Sequence, residues 1–381
     1  MNIGIDFKAT IGGGGNQQYS LSLIKGLAQV DKENKYFLYS YFHSFLNAEN
    51  NLIFSENFKT VPAYFSRLNL KLMPSSVINF INKETLKFSI KRHKIDVFHF
   101  TNPINFISSK SKTIVTIHDL APLHDKNWAK VSSWEFYQKN IGKIIKQADK
   151  IIAVSNYTKN DIINFFNIEP EKIAVIYEAA SDSIEFDYQP EFLQRHYGLR
   201  QYILYVGQLQ PRKNIKLLIE AYGLLPANLR DQFDLVLVGQ PRNDQYLLEI
   251  KAQISKLRLE NKVKLLGRIA DEDLSKIYSG AKIFVYPSLL EGFGLPILEA
   301  MKCSVPVIAT KSSSLPEVGG PAAVYVDPTD SHGLAQEIKQ ILSDESLYCD
   351  FKSRGAKQIK KFSWRKTAEE TLNIYQQVFK S

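Results

Sequence analysis

A chain of 381 residues, 44% hydrophobic and 12% aromatic, is long enough for two domains with real cores, which excludes a disordered or fibrous protein. Its two cysteines, Cys303 and Cys349, have no metal-ligand spacing and suit a reducing compartment. The net charge of +9 favours polyanionic partners (phosphorylated substrates, anionic lipid or nucleic acid), but charge alone does not decide between these and a surface that is basic only for solubility.

Asn2–Asp6 reads as a strand without the plan of a signal peptide, and no apolar run reaches bilayer length, so a cytoplasmic protein is expected. The strand leads into Ile11-Gly-Gly-Gly-Gly-Asn16 and a helical stretch from Gln17 to Gln29. A glycine loop in that place suits phosphate contact at Gly13, Gly14 and Gly15, with a flexible turn as the plainer alternative. The dinucleotide fingerprint would need glycine at Gln17 or Gln18, so a nicotinamide enzyme is disfavoured.

Further strands are predicted at Tyr36–Ser40, Asp96–Phe100, Thr113–Ile117, Lys150–Val154 and Ile173–Tyr177, mostly separated by helices, the pattern of a parallel α/β sheet. Residues 67–94 interrupt it with Arg67, Lys71, Lys83, Lys87, Lys91, Arg92 and Lys94 against one acid, Glu84. Val77, Ile78, Phe80, Ile81, Leu86 and Phe88 interleave with them. Such a segment is either a basic amphipathic helix for an anionic membrane surface or an ordinary helix with a solvated basic face. His118-Asp119 follows the strand Thr113–Ile117 directly, at the end where open α/β sheets place ligands. Read alone, a histidine there is more often capped by its neighbour for structural reasons. Ser155 or Asn156 is a natural N-cap for the helix through Phe166.

Ala179 to Pro190 is polar and aperiodic and reads as an interdomain linker. Second-domain strands are predicted at Tyr202–Val206, Asp234–Val238, Val263–Leu266, Ile283–Tyr286, Val305–Ala309 and Val324–Val326. The first is followed by Gly207-Gln-Leu-Gln-Pro-Arg-Lys-Asn214, where the fork of Arg212 and the point charge of Lys213 suit a diphosphate. Cations at a helix start oppose its dipole, so an anion explains them better than stability does. Asp271-Glu-Asp273 resembles a metal pair but opens a helix at Leu274, where acids serve the cap and dipole; no metal or other cofactor is expected. From Ile283 to Thr310 the chain reads strand, loop, helix, strand. Gly292 and Gly294 lie in the loop and Pro296 in the helix's first turn, so its free N–H groups can meet a phosphate or sugar oxygen. Glu291 stands on the loop and Glu299 about one turn into the helix.

Glu291-Gly-Phe-Gly-Leu-Pro-Ile-Leu-Glu299 resembles the paired-glutamate signature of the retaining family 4 glycosyltransferases of GT-B fold. Tyr205-Val-Gly-Gln-Leu-Gln-Pro-Arg-Lys-Asn214, His118-Asp119-Leu120, Val154-Ser155-Asn156 and the closing Phe362-Ser-Trp364 resemble further family motifs, in family order. The resemblance implies two facing Rossmann-like domains, 1–180 on the acceptor side and 181–363 holding the nucleotide sugar, with the helix of 364–381 crossing back onto the first. It also implies a sugar-site role for His118, a diphosphate grip by Arg212 and Lys213, sugar hydroxyls at Glu291 and ribose hydroxyls at Glu299. Gly207, Phe293, Gly294 and Leu295 would contact the donor, and Arg268 and Ile269 would lie near its base. The glycine loop would lie near the donor phosphates and the acceptor. No enzyme nucleophile is implied, since the leaving phosphate helps to take the acceptor proton.

The expected reaction is sugar transfer from a nucleotide diphosphate sugar to a glycan or lipid-linked acceptor, in cell-surface polysaccharide synthesis. Ser312-Ser-Ser-Leu-Pro-Glu-Val318 looks most like family members that use GDP-mannose, with UDP-sugars open. Three rival readings stand: a glycoside hydrolase using Glu291 and Glu299, a nucleotide-sugar epimerase, and a basic nucleic-acid-binding protein. The last lacks an ordered motif of base-stacking aromatics in a basic groove, so no nucleic acid partner is expected.

Overall fold

The structure, a computed structural model, describes residues 1–7, 15–41, 55–65 and 73–381. Gly13, Gly14, Arg67 and Lys71 therefore lie outside the described residues. The chain forms two compact units: residues 1–123, 131–178 and 364–381 make the first, and residues 124–130 and 179–363 the second.

The first unit is built on seven strands: β1 (Asn2–Asp6), β2 (Lys35–Tyr41), β3 (Phe58–Tyr64), β4 (Val97–Phe100), β5 (Lys112–Ile117), β6 (Lys150–Ala153) and β7 (Ile173–Val175). All pair in parallel, in the order β3-β2-β1-β4-β5-β6-β7. Helices on both faces bury the strands, which explains their nearly unbroken apolar runs. The order reverses direction between β1 and β4, so the loops after these two strands diverge and leave a crevice at their carboxyl ends. β3 was not predicted: it contains Pro62, which a strand tolerates at a sheet edge, and β3 is the edge.

The helix Trp364–Lys380 belongs to this unit, where it buries Trp364, Thr367, Ala368, Thr371, Ile374, Tyr375 and Val378 on one face. It crosses the helix Gly15–Val30 at Gly26, where a Cβ would stand 2.7 Å from the Trp364 carbonyl. The Thr367 hydroxyl donates to the Tyr177 carbonyl at 2.7 Å, fastening the helix to the segment after β7.

The second unit repeats the plan with β8 (Tyr202–Val206), β9 (Asp234–Val238), β10 (Val263–Gly267), β11 (Ile283–Tyr286), β12 (Val307–Thr310) and β13 (Ala323–Val326). These too are parallel, in the order β10-β9-β8-β11-β12-β13, with the reversal between β8 and β11. β12 starts two residues later than predicted, because Ser304 takes a left-handed turn (φ 61) and Pro306 precedes the ladder. Between β7 and the helix Pro190–Tyr197 there is no regular element, but this linker is tied down: Glu185 N–H donates to Ser275 Oγ and Asp187 N–H to Ser279 Oγ. Their helix begins at Asp271 rather than Leu274, and none of its acids caps it. Asp273 instead accepts from the Tyr197 hydroxyl at 2.7 Å and from Lys276 at 3.1 Å. No described helix is long and apolar enough to cross a membrane.

Candidate active site

Because β8 and β11 are neighbours at the reversal of strand order, the loops that follow them start side by side before they diverge. After β8 the backbone passes Gly207 in the left-handed region (φ 153), and the Gly207 carbonyl would lie 1.9 Å from a Cβ on Gly239. Glycine at both positions is what lets the loop after β8 pass the loop after β9; Gly239 belongs to no motif in the sequence because it stands alone. The loop continues into a short 3-10 turn, Pro211–Lys213, and Asn214 (φ 55) turns the chain into the helix Ile215–Leu224.

Arg212 and Lys213 both meet Glu291. Lys213 Nζ lies 2.5 Å from Glu291 Oε1 and donates to the Tyr286 hydroxyl at 2.6 Å. Arg212 Nη1 lies 3.2 Å from Glu291 Oε2 and also donates to the Leu290 carbonyl. Ser288 Oγ gives a further hydrogen bond to Glu291 Oε1. The cations expected for an external anion are thus already aimed at an internal one. Burial pushes the Glu291 carboxyl up, but the charges of Lys213 and Arg212 outweigh it and hold it at about 2.

The backbone of this loop is fixed by two serines: Glu291 N–H donates to Ser313 Oγ at 2.8 Å, and Ser314 Oγ donates to the carbonyls of Glu291 and Phe293 at 3.0 and 2.7 Å. Phe293 is buried edge-on against Phe362, with ring centroids 5.8 Å apart. Gly294 (φ 110) makes the turn that a side chain would resist, and Leu295 starts the helix Leu295–Lys302 with Pro296 in its first turn. Buried Ile297, Leu298, Ala300 and Met301 seat that helix, and on it Glu299 accepts from the Tyr278 hydroxyl at 2.8 Å. Burial raises the Glu299 carboxyl, and the Tyr278 bond only partly offsets it. Arg268 and Ile269 follow β10, with β9 between that strand and β8; Arg268 is exposed and Ile269 buried.

In the first unit, His118 follows β5. Its Nδ1 lies 3.1 Å from Glu178 Oε1 and its Nε2 3.0 Å from the Thr101 carbonyl. Both ring nitrogens therefore face acceptors, which only an imidazolium can satisfy by donating twice. Burial alone would lower the His118 pKa, yet the hydrogen bond and charge of Glu178 raise it above its ordinary value. Asp119, the suspected cap, instead accepts from Ala121 N–H. Tyr19 sets its ring edge-on to His118 at 4.8 Å, and its hydroxyl joins Thr116, His99 and Tyr375 in a buried chain. Gly15 begins its helix with nothing within 4 Å of where a Cβ would be, so packing does not demand glycine there. Ser155 caps the helix Asn156–Phe166 through Thr158 N–H, the structural role expected of it.

Residues 13–181 match the family described as Glycosyltransferase Family 4, and residues 192–358 match Glycosyl transferases group 1. Over 372 residues, 94% of this chain and 94% of the relative, the sequence is 30% identical to O-antigen chain mannosyltransferase B of Escherichia coli. The chain is a family 4 glycosyltransferase. Another relative of this glycosyltransferase, O-antigen chain mannosyltransferase RfbU of Salmonella typhimurium, is 31% identical over 67% of this chain and 66% of its own. Among solved structures, sucrose-phosphate synthase of Thermosynechococcus elongatus superposes with TM-score 0.78 at 20% identity, covering 99% of both chains. Anabaena HepE in complex with UDP-glucose gives 0.76 at 19% identity over 99% of this chain and 100% of its own. The two parallel sheets are accordingly those of the GT-B fold.

Proposed function

We propose that this glycosyltransferase moves mannose from GDP-mannose to a glycan or lipid-linked acceptor in cell-surface polysaccharide synthesis, with retention of the donor's anomeric configuration. The donor reading draws on the relatives named O-antigen mannosyltransferases. The chemistry rests on one observation, the cluster of Glu291, Lys213 and Arg212 at the carboxyl ends of β8 and β11. Glu291 holds two cations in fixed positions, so a leaving diphosphate meets preorganised positive charge. The carboxylate, ionised at every working pH, accepts from donor sugar hydroxyls, and Glu299 accepts from the ribose. His118, with both ring nitrogens committed to Glu178 and the Thr101 carbonyl, serves the sugar site through its fixed charge and takes no proton. The acceptor proton passes to the leaving phosphate. A hydrolase would need one of the two glutamates as a general acid and the other as base or nucleophile. Glu291, held ionised, cannot be the acid, and its ion pairs with Lys213 and Arg212 blunt it as base or nucleophile.

The same reading keeps the enzyme on the cytoplasmic side and brings it to an anionic membrane through the helix Ser75–Arg92. Phe80 and Phe88 on that helix are 67% and 66% exposed, beside exposed Lys83, Lys87, Lys91 and Arg92.

The test is a thermal-shift screen over GDP-mannose, UDP-glucose and UDP-N-acetylglucosamine. A ligand at a hundred times its Kd adds about 2.7 kcal/mol of stability, so the true donor stands out. GDP-mannose should give the largest shift. A larger shift with a UDP-sugar replaces the donor, and conversion of the nucleotide sugar with no acceptor present replaces the transferase by an epimerase.

A further inference from the structure

Beneath the helix Ser75–Arg92, the first unit holds a cavity of about 280 Å³ that neither the motifs nor the Glu291 cluster accounts for. Tyr64, which ends β3, and Asn105, which follows β4, both line it. The cavity therefore opens at the carboxyl ends of the strands, where parallel sheets take ligands. His118 belongs to the same edge: its Nε2 is bonded to Thr101, just before the loop that carries Asn105.

The lining is a particular chemistry. Side-chain amides from Asn79, Asn82, Asn105 and Asn140 face a cavity otherwise walled by aromatic and aliphatic groups, with Lys83 the one charged residue of the lining among the described residues. A carboxamide donates and accepts from one planar group, as vicinal hydroxyls require, and rings suit the C–H faces of a sugar. The volume lies at the low end of small-molecule sites, room for a single sugar ring.

The four amides are not equivalent. Asn82 is spent on bracing the end of β3, accepting from Phe65 N–H at 2.7 Å and donating to the Phe65 carbonyl at 3.1 Å. Asn105 donates to Asp6 Oδ2 at 2.7 Å. Asn79 and Asn140 are exposed. Asn140 also sits in the π-helical turn Tyr137–Ile141, a rare geometry that gathers at functional sites, and bonds the Phe136 carbonyl with Nδ2, which leaves Oδ1 to accept.

We propose that this cavity binds the terminal sugar of the acceptor, a neutral hexose gripped by Asn79 and Asn140; this rests on the reading of the chain as a transferase to a glycan. Saturation-transfer NMR on the full chain, without nucleotide, reads the cavity apart from the donor. The probes are methyl α-D-mannopyranoside, methyl β-D-galactopyranoside and methyl N-acetyl-β-D-glucosaminide. At least one should receive saturation, and Asn79→Leu, Asn140→Leu and the cavity-filling Asn79→Trp should each cut that transfer about tenfold. Their thermal shift with GDP-mannose should equal the wild type's. In turnover the same variants should raise the acceptor KM about tenfold and leave the donor KM unchanged. No saturation of any glycoside, or equal transfer in folded variants, overturns the proposal. A wild type that binds a glycoside but not GDP-mannose upholds it and sinks the donor reading instead.

Discussion

Glu178 lies 60 residues along the chain from His118, yet its Oε1 stands 3.1 Å from His118 Nδ1 in a pair that is almost wholly buried. The sheet makes this meeting, since His118 follows β5 and Glu178 comes soon after β7, two strands away. A raised folded pKa means that the pair's stabilisation is complete below the ordinary value of 6.5 and fades as pH rises through the folded value. Glu178→Gln should therefore lower the His118 pKa in an NMR titration. It should also cost more stability at pH 5.5 than at pH 8.5. An unmoved titration would mean that Glu178 does not set the charge of His118.

The Lys213–Glu291 pair separates stability from catalysis. Lys213→Ala leaves a buried carboxylate with Arg212 as its remaining counter-charge among the described residues, and breaking a buried pair costs about 3–5 kcal/mol, less where a second cation remains. Turnover should fall at least tenfold, the loss of a charge-assisted bond worth about 1.5–3 kcal/mol. The double variant Lys213→Met with Glu291→Gln removes both charges and should recover much of the melting temperature but none of the activity. Recovery of both would reduce the pair to a structural bridge.

The two glutamates should divide the donor between them. Glu299→Ala removes an acceptor held in place by Tyr278 and should weaken GDP binding about tenfold in calorimetry. Glu291→Ala frees Arg212 and Lys213 for the diphosphate, so GDP should bind as tightly as before or tighter, while turnover collapses. Equal losses of GDP affinity in both variants contradict this division.

Apolar runs alone predicted the strands of both sheets except β3, because parallel strands buried on both faces leave an unambiguous signal. β3 failed for a local reason: Pro62 argues against a strand until one knows that it is an edge. The candidate site was legible residue by residue but not as a set of pairs. Arg212, Lys213 and Glu291 stood out singly, yet Lys213 and Glu291 are 78 residues apart and only the β8–β11 adjacency joins them. Asp119 drew attention by being next to His118, whereas its side chain serves the following turn. Ser313 and Ser314 were visible as a run but not as the clamps on the Glu291 loop, and Tyr278, the partner of Glu299, stands in no motif.

The helix Ser75–Arg92 keeps Ile78, Leu86 and Ile90 buried and turns Phe80 and Phe88 outward. Full-length protein should co-sediment with phosphatidylglycerol vesicles and much less with phosphatidylcholine, with binding that weakens as salt rises. Phe80→Asp with Phe88→Asp should abolish it at an unchanged melting temperature. Co-sedimentation that ignores lipid charge, or survives the double variant, leaves this face an ordinary solvated one.

Activity should need no divalent metal and should retain the anomeric configuration. A metal-assisted diphosphate transfer places carboxylates toward the diphosphate. Here the groups assigned to it are Arg212, Lys213 and the N-terminus of the helix Leu295–Lys302, all cationic or hydrogen-bond donors. The carboxylate beside them, Glu291, already has Lys213 and Arg212 within ion-pair distance and would have to give them up to take a metal. Asp273, the best placed acid of the 271–273 cluster, is engaged by Tyr197 and Lys276. Turnover should therefore survive excess EDTA, and NMR of the product should show the donor's linkage preserved. Loss of activity in EDTA with recovery in Mn²⁺ would overturn the charge assignment around Glu291. An inverted linkage would leave that assignment intact but remove the same-face attack, and with it the leaving phosphate's role as the acceptor's base.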